Sequence, residues 1–127
     1  MLIQNSPKNK DGIIYKIPCS CNTLYIGESG KSLDKRISQH KYSIRCDSHN
    51  NAVNLHNSNC NNQILWNKAR VIYKCNETKE RKLLEAVCIK SSQDYNFNIS
   101  PGSFNIDPVF EHLVRKQYKI KGVIFKD

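Results

Sequence analysis

Arg36 and His40 stand four residues apart, which on a helix puts them one turn from each other on a shared stripe. An arginine so placed can hold a phosphate oxygen in its planar fork, or pair at the surface with Asp34 or Glu28. His40 on its own reads as a partly buried helix residue. Tyr15 and Tyr25 each fall in a short β-branched and aromatic run, as sheet packing or as acid–base groups. The second role is demanding, because a phenol's ordinary pKa of about 10 must be brought down by nearby cations. Arg36 and a bound metal would supply that field. Glu85 lies in mid-helix on a stripe with Arg81, Cys88 and Ile89. A carboxylate at the edge of an apolar stripe must be paired, here to Arg81 or Lys82, or bound to a cation. Mg²⁺ or Mn²⁺ suits such a ligand, since these ions keep most of their waters and bind through one or two carboxylates. Tyrosines, an arginine and a histidine converging beside a basic surface suit chemistry on a phosphodiester.

The elements that must position these groups are legible in the chain. Ile13 to Ile17 reads as a strand with Ile13, Tyr15 and Ile17 on one face, and Pro18 to Asn22 is turn chemistry. Thr23 to Gly27 is the return strand, with Tyr25 facing away from Leu24 and Ile26. Ser32 can cap a helix whose first turn carries Asp34 and whose core stripe is Leu33, Ile37 and Ile44. Cys46 to Asn51 is a polar loop, and Ala52 to His56 a short helix. Ile64 to Tyr73, holding Trp66, predicts a third strand. Thr78 can cap a long helix to about Lys90, burying Leu83, Leu84, Val87 and Cys88. Asn96 to Ile106 reads as an irregular loop, and Asp107 before Pro108 as a helix start, with Phe110, Leu113 and Val114 packed inward. A stray strand is expected at Gly122 to Phe125. The expected fold is α/β, a small, mostly antiparallel three-stranded sheet flanked by helices. Residues 1–11 form a linker, 12–113 the domain and 114–127 a basic tail.

Twenty lysines and arginines against eleven acids give a formal charge of +9. On so small a domain this favours a polyanion partner through steering and counterion release. No run reaches the roughly 20 apolar residues of a membrane span, so no membrane partner is expected. The N-terminal MLIQNSPKNKDG lacks the apolar core of a secretory signal, so the expected setting is intracellular. Six cysteines are then better read as thiols, some on a metal, than as disulfides.

The joint order is the informative signal: strand tyrosine, strand Tyr-Ile-Gly, helix Arg-x-x-x-His, a later helix glutamate and a loop asparagine. This resembles the GIY-YIG nuclease family over roughly residues 12 to 113, and most closely the endonuclease of Penelope-like retroelements. Tyr15 falls on the tyrosine of the first motif, and Tyr25-Ile26-Gly27 is the second motif intact. Arg36 and His40 match the helix pair, Glu85 the metal-binding acid and Asn98 the late asparagine. The glycine of the first motif is replaced by Ile13, with Gly12 one position earlier, a displacement expected of the Penelope-like branch. Lys16-Ile17-Pro18-Cys19, Ala52-Val53 with His56, Trp66, and Asn98 with Gly102 are also similar to that branch.

The resemblance implies a divalent-metal-dependent DNA endonuclease that nicks a phosphodiester. Tyr15 would accept the proton of the attacking water with help from His40, and Glu85 would hold Mg²⁺ or Mn²⁺. Arg36 would stabilise the transition-state charge, Tyr25 would orient phosphate or water, and Asn98 would position the Glu85 region. Lys31, Lys35, Lys41, Arg45, Lys68, Arg70 and Lys74 are available for DNA backbone contacts. The branch also implies zinc on two cysteines and two histidines. Cys19, Cys21 and His56 match, while the second histidine position holds Asn62, and Cys60 two residues away can complete a Cys₃His set. Cys19-x-Cys21 is tighter than the usual spacing, and a pair of free thiols at a turn is the alternative. Cys46, Cys75 and Cys88 read as structural or incidental. The implied context is nuclear, with a reverse transcriptase module in a parent protein. The alternatives are a non-catalytic DNA-binding module of the same fold and a repair or junction nuclease of the same superfamily.

Overall fold

In the computed structural model, which describes residues 12–46, 51–98 and 107–120, the chain begins with an antiparallel hairpin. Strand β1 (Ile13–Pro18) pairs with β2 (Leu24–Ser29) in the register Tyr15 opposite Gly27. The connection closes on Cys19, whose N–H donates to the Thr23 carbonyl at 2.8 Å. Asn22 takes the left-handed conformation there (φ 71°), which asparagine tolerates better than most side chains. Helix α1 (Leu33–Arg45) follows, capped by the Ser32 hydroxyl on the Lys35 N–H, as the sequence predicts. Then come α2 (Ala52–Asn59), strand β3 (Arg70–Lys74), α3 (Thr78–Ser91) and α4 (Pro108–Tyr118). The three strands form one antiparallel sheet in the order β2-β1-β3, so the fold is the expected α/β arrangement with helices on both faces.

Central β1 is buried on both sides, which explains why it is nearly all apolar. Ile13, Tyr15 and Ile17 face Val53 of α2, with Leu33, Ile37 and Ile44 of α1 against the same cluster. On the opposite face Ile14 joins Leu24 and Ile26 of β2 in a core with Leu84, Val87, Cys88 and Ile89 of α3 and Val114 of α4.

Several expectations are corrected. The third strand is shorter than Ile64–Tyr73: Ile64 makes an isolated bridge to Cys19, a single 3-10 turn spans Trp66–Lys68, and β3 starts at Arg70. Its partner β1 has six residues and ends at Pro18, so an uninterrupted strand would have outrun it. Helix α3 is capped one residue earlier than expected, by the Glu77 carboxylate on the Glu80 N–H at 2.8 Å. Leu83 is half-buried beside the fully buried Leu84, Val87 and Cys88. In α4 only Val114 is buried, while Phe110 and Leu113 are 58% and 53% exposed. That helix runs on to Tyr118, and Tyr118 and Ile120 pack on the α3 core, so residues 114–120 belong to the folded body rather than to a tail. The expected linker 1–11, the strand at Gly122 to Phe125 and most of the loop from Asn96 to Ile106 lie outside the described residues, as do four residues of the Cys46–Asn51 loop.

Gly12 stands where no side chain fits. A Cβ there would overlap both the Arg81 guanidinium and the Cys75 carbonyl. Its own carbonyl accepts from the Cys75 N–H at 2.9 Å, so the backbones cannot part to make room. Gly12→Ala is therefore expected to destabilise by about 1–3 kcal/mol, read as a lower urea midpoint at unchanged slope.

Candidate functional site

Tyr15 is the centre of the site, and its place is set by glycine. Its ring lies across Gly27 of β2, where a Cβ would overlap the hydroxyl and come within 2.8 Å of Tyr25 Cε2. The third residue of Tyr-Ile-Gly is thus the gap through which Tyr15 reaches the α1 side. There Arg36 Nε donates to the Tyr15 oxygen at 3.2 Å, and His40 Nε2 lies 2.9 Å from the same oxygen. Arginine can only donate, so the phenol accepts from Arg36 and its own hydrogen is free to be given to a neutral imidazole. Tyr25 closes the group, its ring edge-on to His40 with centroids 5.6 Å apart and 6.2 Å from that of Tyr15.

Burial decides the charge states. It pushes His40 down to about 4, with the Arg36 charge acting in the same direction, so the imidazole is neutral. Burial, helped by Tyr25, pushes Tyr15 above its ordinary value, and the charge and hydrogen bond of Arg36 offset only part of this. The expectation that Arg36 would bring Tyr15 down is therefore corrected for the metal-free protein: desolvation outweighs the cation. Tyr25 is raised too, by burial and then by Glu85.

Glu85 reaches the same group from α3. Burial and the neighbouring Glu28 carboxylate push it up to about 7, against the pull of Lys82, the Glu28 backbone N–H and Arg36. Pairing to Arg81 or Lys82 does not occur. Arg81 Nε lies 2.7 Å from Glu28 Oε1 and Lys82 Nζ 3.1 Å from Glu28 Oε2, and Glu85 has no ion pair among the described residues. Nor does Arg36 pair with Asp34 or Glu28; its Nη1 donates to Gln39 at 2.9 Å. Asn98 stands apart from the chemistry: its amide donates to the Ile26 carbonyl at 2.7 Å and accepts from the Ile26 N–H at 3.0 Å. It fixes β2 between Tyr25 and Gly27, rather than the Glu85 region as expected.

Cys19, Cys21, His56 and Cys60 form a second cluster, with all four ligand atoms within 4.8 Å of one another. Ligands of tetrahedral zinc, at Zn–S about 2.3 Å and Zn–N about 2.0 Å, lie about 3.5–3.8 Å apart. Here Cys19 Sγ is 4.0 Å from Cys60 Sγ and Cys21 Sγ 3.5 Å from His56 Nε2, so the set could bind a metal such as zinc. The tight Cys19-x-Cys21 spacing is accommodated by the turn at Asn22, and Cys60 caps α2 one turn after His56. Burial holds His56 below its usual range, in the neutral form a metal requires. Burial drives Cys19 up to about 11, whereas at Cys21 hydrogen bonds from Thr23 and Cys19 overcome burial and lower the thiol. Cys75 and Cys88 are buried and Cys46 exposed, all three away from the cluster.

Two residues that sequence reasoning did not place in the site tie it together. Phe97 stacks on His56 (centroids 3.9 Å, planes 7° apart) and on Tyr25 (6.0 Å, 30°), bridging the two clusters. Its only sequence signal is an aromatic beside Asn98. Glu28 was visible as an acid after Tyr-Ile-Gly, but not as the acceptor for Arg81 and Lys82. Comparison with models of known protein families, with curated proteins and with solved structures matched nothing.

The opposite shifts at His40 and Glu85 give opposed pH slopes in chelated protein. His40 titrates at about 4 folded and 6.5 unfolded, so its contribution to stability is lost as pH falls through that window. Glu85 titrates at about 7 folded and 4.5 unfolded, so its contribution is lost as pH rises through that window. In wild type the two nearly cancel. Relative to wild type, Glu85→Gln should gain stability from pH 4.5 to 7 and His40→Gln should lose it from 4 to 6.5. Each difference should reach about 3 kcal/mol in urea titrations. Parallel curves for all three proteins would refute the burial argument.

Proposed function

We propose that this chain is a divalent-metal-dependent DNA endonuclease domain of GIY-YIG type that nicks phosphodiester bonds, related to the Penelope-like retroelement endonucleases. The observation that carries the reading is the Tyr15 hydroxyl held between Arg36 Nε and neutral His40 Nε2, with the Glu85 carboxylate, which has no ion pair among the described residues, close enough to act on Tyr15, Tyr25 and Arg36. Packing alone does not account for an ionisable set drawn from β1, β2, α1 and α3 and centred on a buried phenol.

Tyr15 enters the reaction as a neutral phenol. As its oxygen accepts a proton from the attacking water, its own proton passes to His40 Nε2, so no free tyrosinate need form. Arg36 has guanidinium N–H groups beyond those given to Tyr15 and Gln39, available to the phosphate oxygens as negative charge builds up. Tyr25 borders the same space and orients phosphate or water. Glu85 fits a hard cation: one half-buried carboxylate without an ion pair matches the sparse protein ligation that Mg²⁺ or Mn²⁺ accepts. Such an ion would supply Lewis-acid stabilisation of the phosphate and the leaving oxygen.

DNA is the proposed partner because Lys31, Lys35, Lys41, Arg45, Lys68, Arg70 and Lys74 are all exposed on a chain of charge +9. Lys41 Nζ also lies 5.6 Å from the Trp66 ring centroid, beside the loop that leads into β3. No helix among the described residues is long and apolar enough to cross a membrane. Cys19, Cys21, His56 and Cys60 would hold a structural zinc, which would tie the hairpin turn to the end of α2. A nuclear setting and a reverse transcriptase module in a parent protein belong to the same reading.

Wild type should nick supercoiled plasmid in Mg²⁺ or Mn²⁺, and Glu85→Ala should lose on the order of 10²–10³ in rate or more while still binding DNA. DNA binding without nicking in either metal would leave a binding module of this fold; equal nicking by both proteins would dissociate the activity from Glu85. Protein purified without chelator should carry about one equivalent of zinc, lost in Cys60→Ser. Fully folded protein free of metal would remove the zinc from the proposal.

A further inference from the structure

Helix α3 carries Arg81, Lys82 and Glu85 within one turn, a spacing at which both cations can fold onto the glutamate of their own helix. Neither does. Both reach across to β2, where Glu28 receives Arg81 Nε on one oxygen at 2.7 Å and Lys82 Nζ on the other at 3.1 Å. The exchange is anchored on the Arg81 side, because that guanidinium is buried and also donates to the Cys75 and Asn76 carbonyls at 3.3 Å. Lys82 is the less anchored member, with 38% of its side chain exposed. It remains close enough to act on Glu85, whose acidity it increases. Glu28 spends both oxygens and is left with little capacity to ligate an ion itself.

We propose that Glu28 is a positioning residue that draws Lys82, with Arg81, away from Glu85 and so keeps the Glu85 carboxylate available to a divalent cation. This rests on the reading of Glu85 as the divalent-ion ligand. Without the Glu28 charge, Lys82 has one carboxylate within reach, and an ammonium seated on Glu85 competes directly with the metal. Second partners of this kind typically tune metal affinity by about 10–100-fold.

The test is Mn²⁺ binding to purified protein, followed by the loss of the free-ion electron paramagnetic resonance signal. Wild type should bind and Glu85→Ala should not; equal binding by these two overturns the underlying reading and the inference with it. Glu28→Gln should bind about 10–100-fold more weakly, and Glu28→Gln/Lys82→Met should recover most of the wild-type affinity. Unchanged affinity in Glu28→Gln, or a folded double variant that stays weak, overturns the positioning role while leaving Glu85 as ligand. The recovery separates this role from a merely structural one, since deleting Lys82 cannot repair a fold damaged at Arg81. Should Glu28→Gln fail to fold by circular dichroism, Glu28→Asp replaces it. That variant keeps a charge for Arg81 but is one methylene too short to hold Lys82 as well, and the same recovery by Lys82→Met is required.

Discussion

The passage of the Tyr15 ring over Gly27 is the constraint on which the rest of the structure depends. A buried phenol needs partners for its oxygen, and besides Tyr25 of the hairpin these are Arg36 and His40 of α1. That fixes the seat of α1 against the sheet, which Leu33, Ile37 and Ile44 then fill. It also fixes the hairpin register. A slip of one residue would turn Tyr15 to the α3 core and bring Ile14 or Lys16 to the α1 side.

The two faces of the sheet divide the work. The α3–α4 face buries mostly aliphatic side chains, with Tyr73, Tyr95 and Tyr118 at its border, whereas the α1–α2 face is built on rings: Tyr15, Tyr25, His40, Phe97 and His56 form one continuous path of contacts. The Cys–His cluster sits at one end of that path and the Tyr15–Arg36–His40 group at the other. Between the faces, Glu28 and Arg81 join β2 to α3 where a charge would otherwise be buried alone. Their geometry leaves Glu85 half-buried and without an ion pair among the described residues, with burial and the Glu28 carboxylate both raising it.

Much of this was legible in the chain, for identifiable reasons. The hairpin, α1 and the start of α4 follow from β-branched runs, a serine cap and Asp107-Pro108, signals contained in a few neighbouring residues. Tyr15, Tyr25, Arg36, His40 and Glu85 do converge, and Cys60 does stand with Cys19, Cys21 and His56. What escaped depended on distant partners. The break of the third strand at Trp66–Lys68 reflects the short length of β1, not any breaker within that segment. Phe110 and Leu113 fit an inward stripe but find no described neighbour to cover them. The raised phenol and the choice of Glu28 by Arg81 and Lys82 are set by desolvation and by contacts more than fifty positions apart, which spacing cannot report.

The double hydrogen bond of Asn98 to Ile26 has a wider consequence for how copies of this domain meet. With the Tyr95 carbonyl and the Phe97 N–H on Leu24, it occupies the outer backbone of β2, so a side-chain amide completes what a fourth strand would otherwise supply. A foreign strand finds few donors or acceptors left there. The opposite rim, β3, has no strand partner among the described residues but carries Arg70 and Lys74 exposed to water. Like charges brought into register repel, so two copies cannot readily zip together along it. One border is closed by hydrogen bonding and the other guarded by charge, which keeps a small three-stranded sheet from growing.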